Sequence, residues 1–219
     1  MLTIQNQGLA AVTMPVGVYL IAGGKYSPNE TEVLLTGTTH WQKGPTPPPM
    51  DTAPCAVAIS QTSFISVFNR EIIEFDTSVA GPFSEVGWRD SSIFSKLKWA
   101  RGLPACARLD SKVIIAGGAW SNDRDTEETP TIYRSTEILN PVSKTLIIGG
   151  DMNQPRVFFH ILNLNNKLLA IGGFGSNSTT SMEEWDPSTS TWSMLNYRFS
   201  EHKVHYGALV VSKDLVCPA

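Results

Sequence analysis

Residues able to do chemistry are few in this chain, and their spacing matters more than their number. His202 and His205 stand three apart, yet no cysteine or carboxylate cluster flanks them at metal-ligand spacing. In a strand or turn that spacing need not turn both rings toward one point, so they read as incidental surface histidines. His40 and His160 are equally isolated. No Gly-x-Ser-x-Gly elbow, phosphate-cradling glycine loop or dinucleotide fingerprint occurs. No catalytic residue, cofactor or metal is therefore assigned, and the chain reads as a non-enzyme. Recognition is the chemistry that remains. Tyr26, Trp120 and Phe174 are aromatic residues beside polar loops, and Asp123, Arg124, Asp125, Glu127 and Glu128 crowd one long loop. Rings next to charge are what contact surfaces favour, and these eight are the candidate partner-binding residues. For each ring the alternative is packing beneath its own loop.

A repeated phrase places these residues. LDSKVIIAGGAWS, Leu109 to Ser121, returns as LNNKLLAIGGFGS, Leu164 to Ser176, with leucine, lysine, both glycines and the final serine in place. A third copy, YLIAGG, runs from Tyr19 to Gly24. Each is followed by a second shared phrase. STEILNPVSKTL (Ser135 to Leu146) aligns with SMEEWDPSTSTW (Ser181 to Trp192), putting Leu146 where Trp192 stands, and TEVLLTGTTHW (Thr31 to Trp41) keeps the glutamate and tryptophan. Arg101 and Arg156 precede the last two glycine pairs at equal distance. The unit is an arginine, an apolar strand, a strand ending in Gly-Gly, a loop, a glutamate-bearing strand, an Asn/Asp-Pro turn and a large terminal ring.

This unit resembles the Kelch repeat, whose period is about 50 residues with four strands per propeller blade. The resemblance implies an all-β, Kelch-type β-propeller forming a single domain over 1–219. Four four-stranded blades are expected at about 5–53, 54–100, 101–154 and 155–204, with a C-terminal half blade at 205–219. Tyr206 to Ser212 reads as the first strand of that half blade, which implies a partial or unusually closed propeller, either a fragment of a longer chain or one closed by pairing with the N-terminus. The resemblance also implies that Arg101 and Arg156 bond backbone or a carboxylate in their own blade. It implies a protein partner held on a loop face, as in substrate adaptors of cullin ubiquitin ligases or actin-associated proteins. An extracellular Kelch module is the alternative. A galactose-oxidase-like enzyme ranks below both, since the converging tyrosine, histidine and cysteine ligands it needs are not found.

Composition narrows the partners. Net charge is only −3, so no basic stripe suits a phosphate backbone and nucleic acid is not expected. No apolar run approaches the ~20 residues that cross a bilayer, and Met1 to Gly24 lacks the basic start and cleavage site of a signal peptide. These features point to a cytoplasmic chain without a membrane partner, extracellular placement staying open. Three cysteines are an odd and sparse set, so no disulfide framework is expected. Cys55 and Cys106, each just after a proline at a strand start, are expected as small buried hydrophobes at like positions in successive blades. Sequons at Asn29 and Asn177 fall in loops after the glycines and decide nothing.

Strands are expected at Gly8 to Met14 and Val16 to Gly24, with two outer strands within Thr31 to Trp41 joined near Gly37. The proline-rich KGPTPPPMDTAP, Lys43 to Pro54, is a connector between blades or a ligand for an aromatic groove. The second repeat is degraded: strands are expected at Cys55 to Ser60, Phe64 to Asn69 and Glu71 to Asp76, without a glycine pair. Phe83 to Trp99 is a long surface loop or a protrusion toward a partner. Trp41, Trp88 and Trp192 are expected to share one position, wedged between blades. Glu32, Glu137 and Glu183 recur with the repeat and so read as architecture.

Overall fold

The structure, a computed structural model, describes residues 9–23, 29–79, 81–120, 129–175 and 180–201. The chain is all-β. The first sheet is β1 (Leu9–Met14), β2 (Gly17–Ala22), β3 (Glu30–Leu35) and β4 (Gln42–Lys43). The second is β5 (Cys55–Ala58), β6 (Ser63–Phe68), β7 (Glu71–Asp76) and β8 (Trp88–Arg89). The third takes β9 (Ala105–Leu109) and β10 (Lys112–Ala116), sends out a ribbon of β11 (Ala119–Trp120) and β12 (Thr131–Ile132), then adds β13 (Thr136–Asn140) and β14 (Thr145–Ile148). The fourth is β15 (His160–Leu164), β16 (Lys167–Ile171), β17 (Ser181–Asp186) and β18 (Thr191–Arg198). Every pairing is antiparallel between consecutive strands of its sheet, the plan of a propeller blade.

Local chemistry explains these hairpins. In β1 the residues alternate exposed and buried from Leu9 to Met14, the period of a strand with one packed face. β15 and β16 are joined by Asn165 and Asn166, both at positive φ (53° and 60°), where asparagine is among the best tolerated residues and a two-residue hairpin requires it. The Asn/Asp-Pro signature is an Asx turn: Asn140 Oδ1 accepts the amides of Val142 and Ser143 between β13 and β14, and Asp186 Oδ1 accepts the Ser188 amide and hydroxyl between β17 and β18. The second sheet keeps the device without the proline, as Asp76 Oδ1 accepts from the Ser78 amide and hydroxyl.

Packing between sheets follows chain order. Val12, Met14, Tyr19, Ile21 and Val33 of the first sheet meet Phe64, Phe68, Ile73 and Phe75 of the second, with Trp88 against them. Cys55, Ile65, Val67 and Ile72 meet Val113, Ile115 and Leu139 of the third. Ile114, Ile138 and Met152 of that sheet meet Phe159, Leu168, Trp185 and Trp192 of the fourth. Among the described residues no strand of the first sheet pairs with one of the fourth, and residues 205–219, the expected half blade, lie outside them.

Three expectations need correction. Cys55 and Cys106 form a disulfide, Cα to Cα 5.9 Å. Cys55 opens β5 as Ala105 opens β9, so the two cysteines stand one residue apart in the repeat and on opposite faces, Cys55 toward the third sheet and Cys106 toward the second, which lets them meet whatever the total count. Phe83 to Trp99 is neither bare surface loop nor protrusion. It folds as two short 3-10 turns around β8 and buries Phe94 and Leu97 (5% and 0% exposed) between the second and third sheets. The outer strand of the first sheet is Gln42–Lys43, beyond Trp41 rather than before it.

Candidate partner-binding face

Where the first strand of each sheet begins and the second ends, the sheets are stitched by backbone bonds. The Leu103 amide donates to Ala53 O at 3.0 Å and the Arg101 amide to Asn69 O at 2.9 Å, joining the second and third sheets. The Gly118 amide donates to Arg156 O at 2.8 Å, joining the third and fourth. The Tyr133 amide donates to Gly118 O, and the Arg156 amide to Tyr133 O. Among the described residues, one continuous end of the molecule thus carries the roots of the loops that follow the glycine pairs of the third and fourth sheets.

Two devices build it. The first is backbone freedom. Gly117 and Gly118 sit at φ 63° and 87°, and a Cβ on Gly117 would lie 2.6 Å from Arg156 O and from the Phe159 ring. Glycine is needed there for both conformation and approach. In the second sheet Asn69 takes the place of Gly118 at φ 50°, because asparagine tolerates the left-handed region. The missing glycine pair therefore leaves the strand end intact.

The second device is a buried bracket. Arg101 Nη1 donates to Gly117 O and Ser135 O, and Nη2 to Ser135 Oγ and Glu137 Oε2 (2.8 Å). Arg156 repeats this with Gly172 O, Ser181 O, Ser181 Oγ and Glu183 Oε1 (2.9 Å). Both guanidiniums are fully buried. Burial pushes Glu137 up and Arg101 down, each opposed by the partner's charge; the arginine stays protonated because its intrinsic pKa is so high. Each glutamate also grips the connector before its arginine. Glu137 Oε1 accepts the Lys98 amide, and Glu183 accepts the amides of Asn153 and Gln154. The arginine and glutamate thus hold strand end, loop root and connector together. The second sheet has Ile73 where Glu137 stands, opposite Ser66, and has no such bracket.

On this frame, Trp120 lies half-buried in the ribbon, paired with Thr131. Phe174 is 55% exposed and bridges to Val157 as Ala119 bridges to Gly102. Trp120 and Phe174 therefore sit on neighbouring sheets at the same end. Tyr26, Asp123, Arg124, Asp125, Glu127 and Glu128 lie outside the described residues. The face also holds rings that sequence reasoning passed over. Trp99 and Tyr133 flank the Arg101 guanidinium, each ring centre 5.7 Å from its carbon, and Lys98 Nζ lies 4.7 Å from the Trp99 ring. The Arg101 Nε has no hydrogen-bond partner, whereas Arg156 Nε donates to Glu183. The usable signal was divergence within the repeat, since the residue two before Arg101 is Trp99 and the residue two before Arg156 is Gln154. Beside these rings, Arg134 Nε pairs with Asp151 at 3.2 Å, both half exposed.

Among the described residues no three His, Cys, Asp or Glu side chains are grouped to hold a metal, and no helix is long and apolar enough to cross a membrane. Lys112 and Asp110 rim a small cavity of about 120 Å³ floored by Ile114, Ile138 and Trp185, near the hairpin turns and away from this face.

The Kelch motif family model matches residues 155–197, which is most of the fourth sheet with its arginine, glycine pair, glutamate and tryptophan. Kelch-like protein 36 of Bos taurus is 31% identical over 106 residues, covering 44% of this chain and 17% of that protein. Its Mus musculus counterpart is 33% identical over 88 residues, 39% of this chain and 14% of that protein. The F-box protein AFR of Arabidopsis thaliana is 26% identical over 127 residues, 56% of this chain and 31% of that protein. The match thus spans about a seventh to a third of these relatives' lengths. With one whole repeat recognised by the family model, and the same strand plan, bracket and turn recurring around it, this is a Kelch-repeat protein.

Proposed function

We propose that the chain is a protein-interaction module whose partner seats on the end bearing the post-glycine loops, with Trp120 and Phe174 as anchors. Tyr26, Asp123, Arg124, Asp125, Glu127 and Glu128 belong to the same proposed surface through their place in the repeat. The observation that carries this reading is the concentration of rings at that one end, Trp99, Trp120, Tyr133 and Phe174, on a frame stiffened by buried brackets. Aromatic residues on a rigid base are what interface hot spots consist of. Kelch-like and F-box relatives support a role in presenting a bound protein, as a ubiquitin ligase adaptor does; an actin-associated role is the weaker form of the same reading.

The test is capture of partners from extract by the intact chain, then affinity measurement with Trp120→Ala and Phe174→Ala. Each is expected to weaken binding at least tenfold; Phe174→Ala should shift the melting temperature by no more than about 2 °C, because exposed loop changes cost little stability, and Trp120→Ala by somewhat more, because that ring is half-buried. Unchanged affinity in both variants would move the partner to another surface. The Cys55–Cys106 bond favours a second reading, an extracellular Kelch module, since disulfides persist in oxidising compartments. Glycan mass on Asn29 or Asn177 in a secreted preparation would support it.

A further inference from the structure

The three seams between sheets are not built alike. In the first, Tyr19, Phe64, Phe75 and Trp88 form one cluster of tilted and edge-on rings, neighbouring centroids 4.9–5.8 Å apart, and Trp88 Nε1 reaches back to Pro45 O. In the last, Trp185 and Trp192 lie 5.2 Å apart, and Trp192 Nε1 donates to Thr136 Oγ1 of the preceding sheet at 2.9 Å. The middle seam has Leu146, only half-buried, where those tryptophans stand. It is filled by aliphatic side chains, by Phe94 and Leu97 from the 83–99 segment, and by Lys144 reaching Glu74 at 2.8 Å. The second sheet also lacks the arginine–glutamate bracket. The seam without a tryptophan wedge is the one that carries the disulfide.

The bond's position fits that role. Cys55 opens β5 and Cys106 lies in β9, two or three residues from the Ala53–Leu103 backbone bond. It closes a loop spanning 51 residues of sequence, and cross-links over loops of that length stabilise by restricting the unfolded chain. Cys55 is 9% exposed and Cys106 more so, which leaves the bond at the edge of the seam rather than in its centre. From these observations we propose that Cys55–Cys106 is a redox-governed clasp, which fastens the middle seam at the loop-bearing end and releases it when reduced by a dithiol. One thiolate of the dithiol attacks a cysteine sulfur, forming a mixed disulfide and expelling the other cysteine as thiolate. The second thiol of the reductant then displaces the first cysteine. Two electrons and two protons pass to the protein, leaving two cysteine thiols and the oxidised, cyclic dithiol.

The experiment uses the intact chain. Unfolded in a thiol-tagging maleimide after purification in air, it should take one tag, on Cys217. Treated first with dithiothreitol under native conditions and then tagged, it should take three. The reduced form should melt about 5–15 °C lower, by the usual stabilisation from a disulfide and its conversion to temperature for a chain of this size. Its amides at Arg101 and Leu103 should exchange faster, while those at Gly118, in the last seam, and Phe174, within the fourth sheet, stay protected. Cys106→Ala should reproduce the reduced form and no longer respond to the dithiol; should that variant fail to fold, the tag count and exchange pattern of the unaltered chain still decide. Three tags before reduction, one tag after it, or a reduced form that melts and exchanges like the oxidised one would each overturn the clasp.

Discussion

Glu183 is the residue on which most of the last sheet's loop root depends. It takes bonds from Arg156 Nε and Nη2 and from the backbone of Asn153 and Gln154, and it is fully buried. Burying two charges costs several kcal/mol, which mutual attraction and added hydrogen bonds repay; removing one partner leaves the cost without the repayment. Glu183→Ala is therefore expected to lower unfolding free energy by about 3–5 kcal/mol, read from urea midpoints, with Glu183→Gln less harmful because one oxygen can still accept the connector amides. A smaller effect for Glu183→Ala than for Glu184→Ala, whose partner Lys167 is exposed, would show that the bracket does not hold the sheet. The recurrence of Glu32, Glu137 and Glu183 marked these residues as architecture from sequence alone, while the family resemblance gave the arginines backbone or a carboxylate of their own blade as partner without saying which. Periodicity can reveal a shared structural duty. It is blind to duties that only one copy has, which is why Trp99 and Tyr133 beside Arg101 were missed.

At the scale of the strand, the second sheet shows what a repeat can lose without losing its shape. The demand at the end of the second strand is a backbone at positive φ, and Asn69 meets it at 50° where Gly118 meets it at 87°. Substitution separates conformation from space. Asn69→Gly should change stability by well under 1 kcal/mol and Asn69→Val should cost about 1–2 kcal/mol, the penalty of a β-branched residue in that region. Gly118→Val adds a collision with Gly102 O and Pro104 N and should cost more than either, with partner affinity unaffected in the fraction that remains folded. Equal costs at the two positions in thermal melts would mean that backbone conformation alone, not space, governs the strand end. Sequence reading located this sheet by spacing while its residues gave no glycine signal. The asparagine was there to be read, as was Asp76, whose turn needs no proline. The burial of Phe94 and Leu97 was not legible, because that segment has no clean period and packs on another sheet.

Across the whole molecule, each sheet presents a large side chain from its outer strand to the sheet before it: Trp88 to the first, Leu146 to the second, Trp192 to the third. Trp41 holds the corresponding place in the first sheet and is half-buried, with no earlier sheet among the described residues. The disulfide belongs to the same pattern. Residues at one repeat position face the same way, so the expectation that Cys55 and Cys106 share a position hid their contact; an offset of one residue turns Cys106 back toward Cys55 across the seam. The odd cysteine count also drew the reading away from that contact. The seam rule makes a graded prediction. Trp192→Ala removes a buried ring and its bond to Thr136 and should cost about 3–5 kcal/mol, the range for aromatic truncation in a core. Trp88→Ala should cost somewhat less because its ring is partly exposed. Trp41→Ala should cost about 1 kcal/mol or less, since the ring has no seam to fill in the described arrangement. Urea denaturation of the three variants ranks them, and a Trp41→Ala penalty as large as that of Trp192→Ala would place a further packed surface against the first sheet, making the arc longer than the four sheets described.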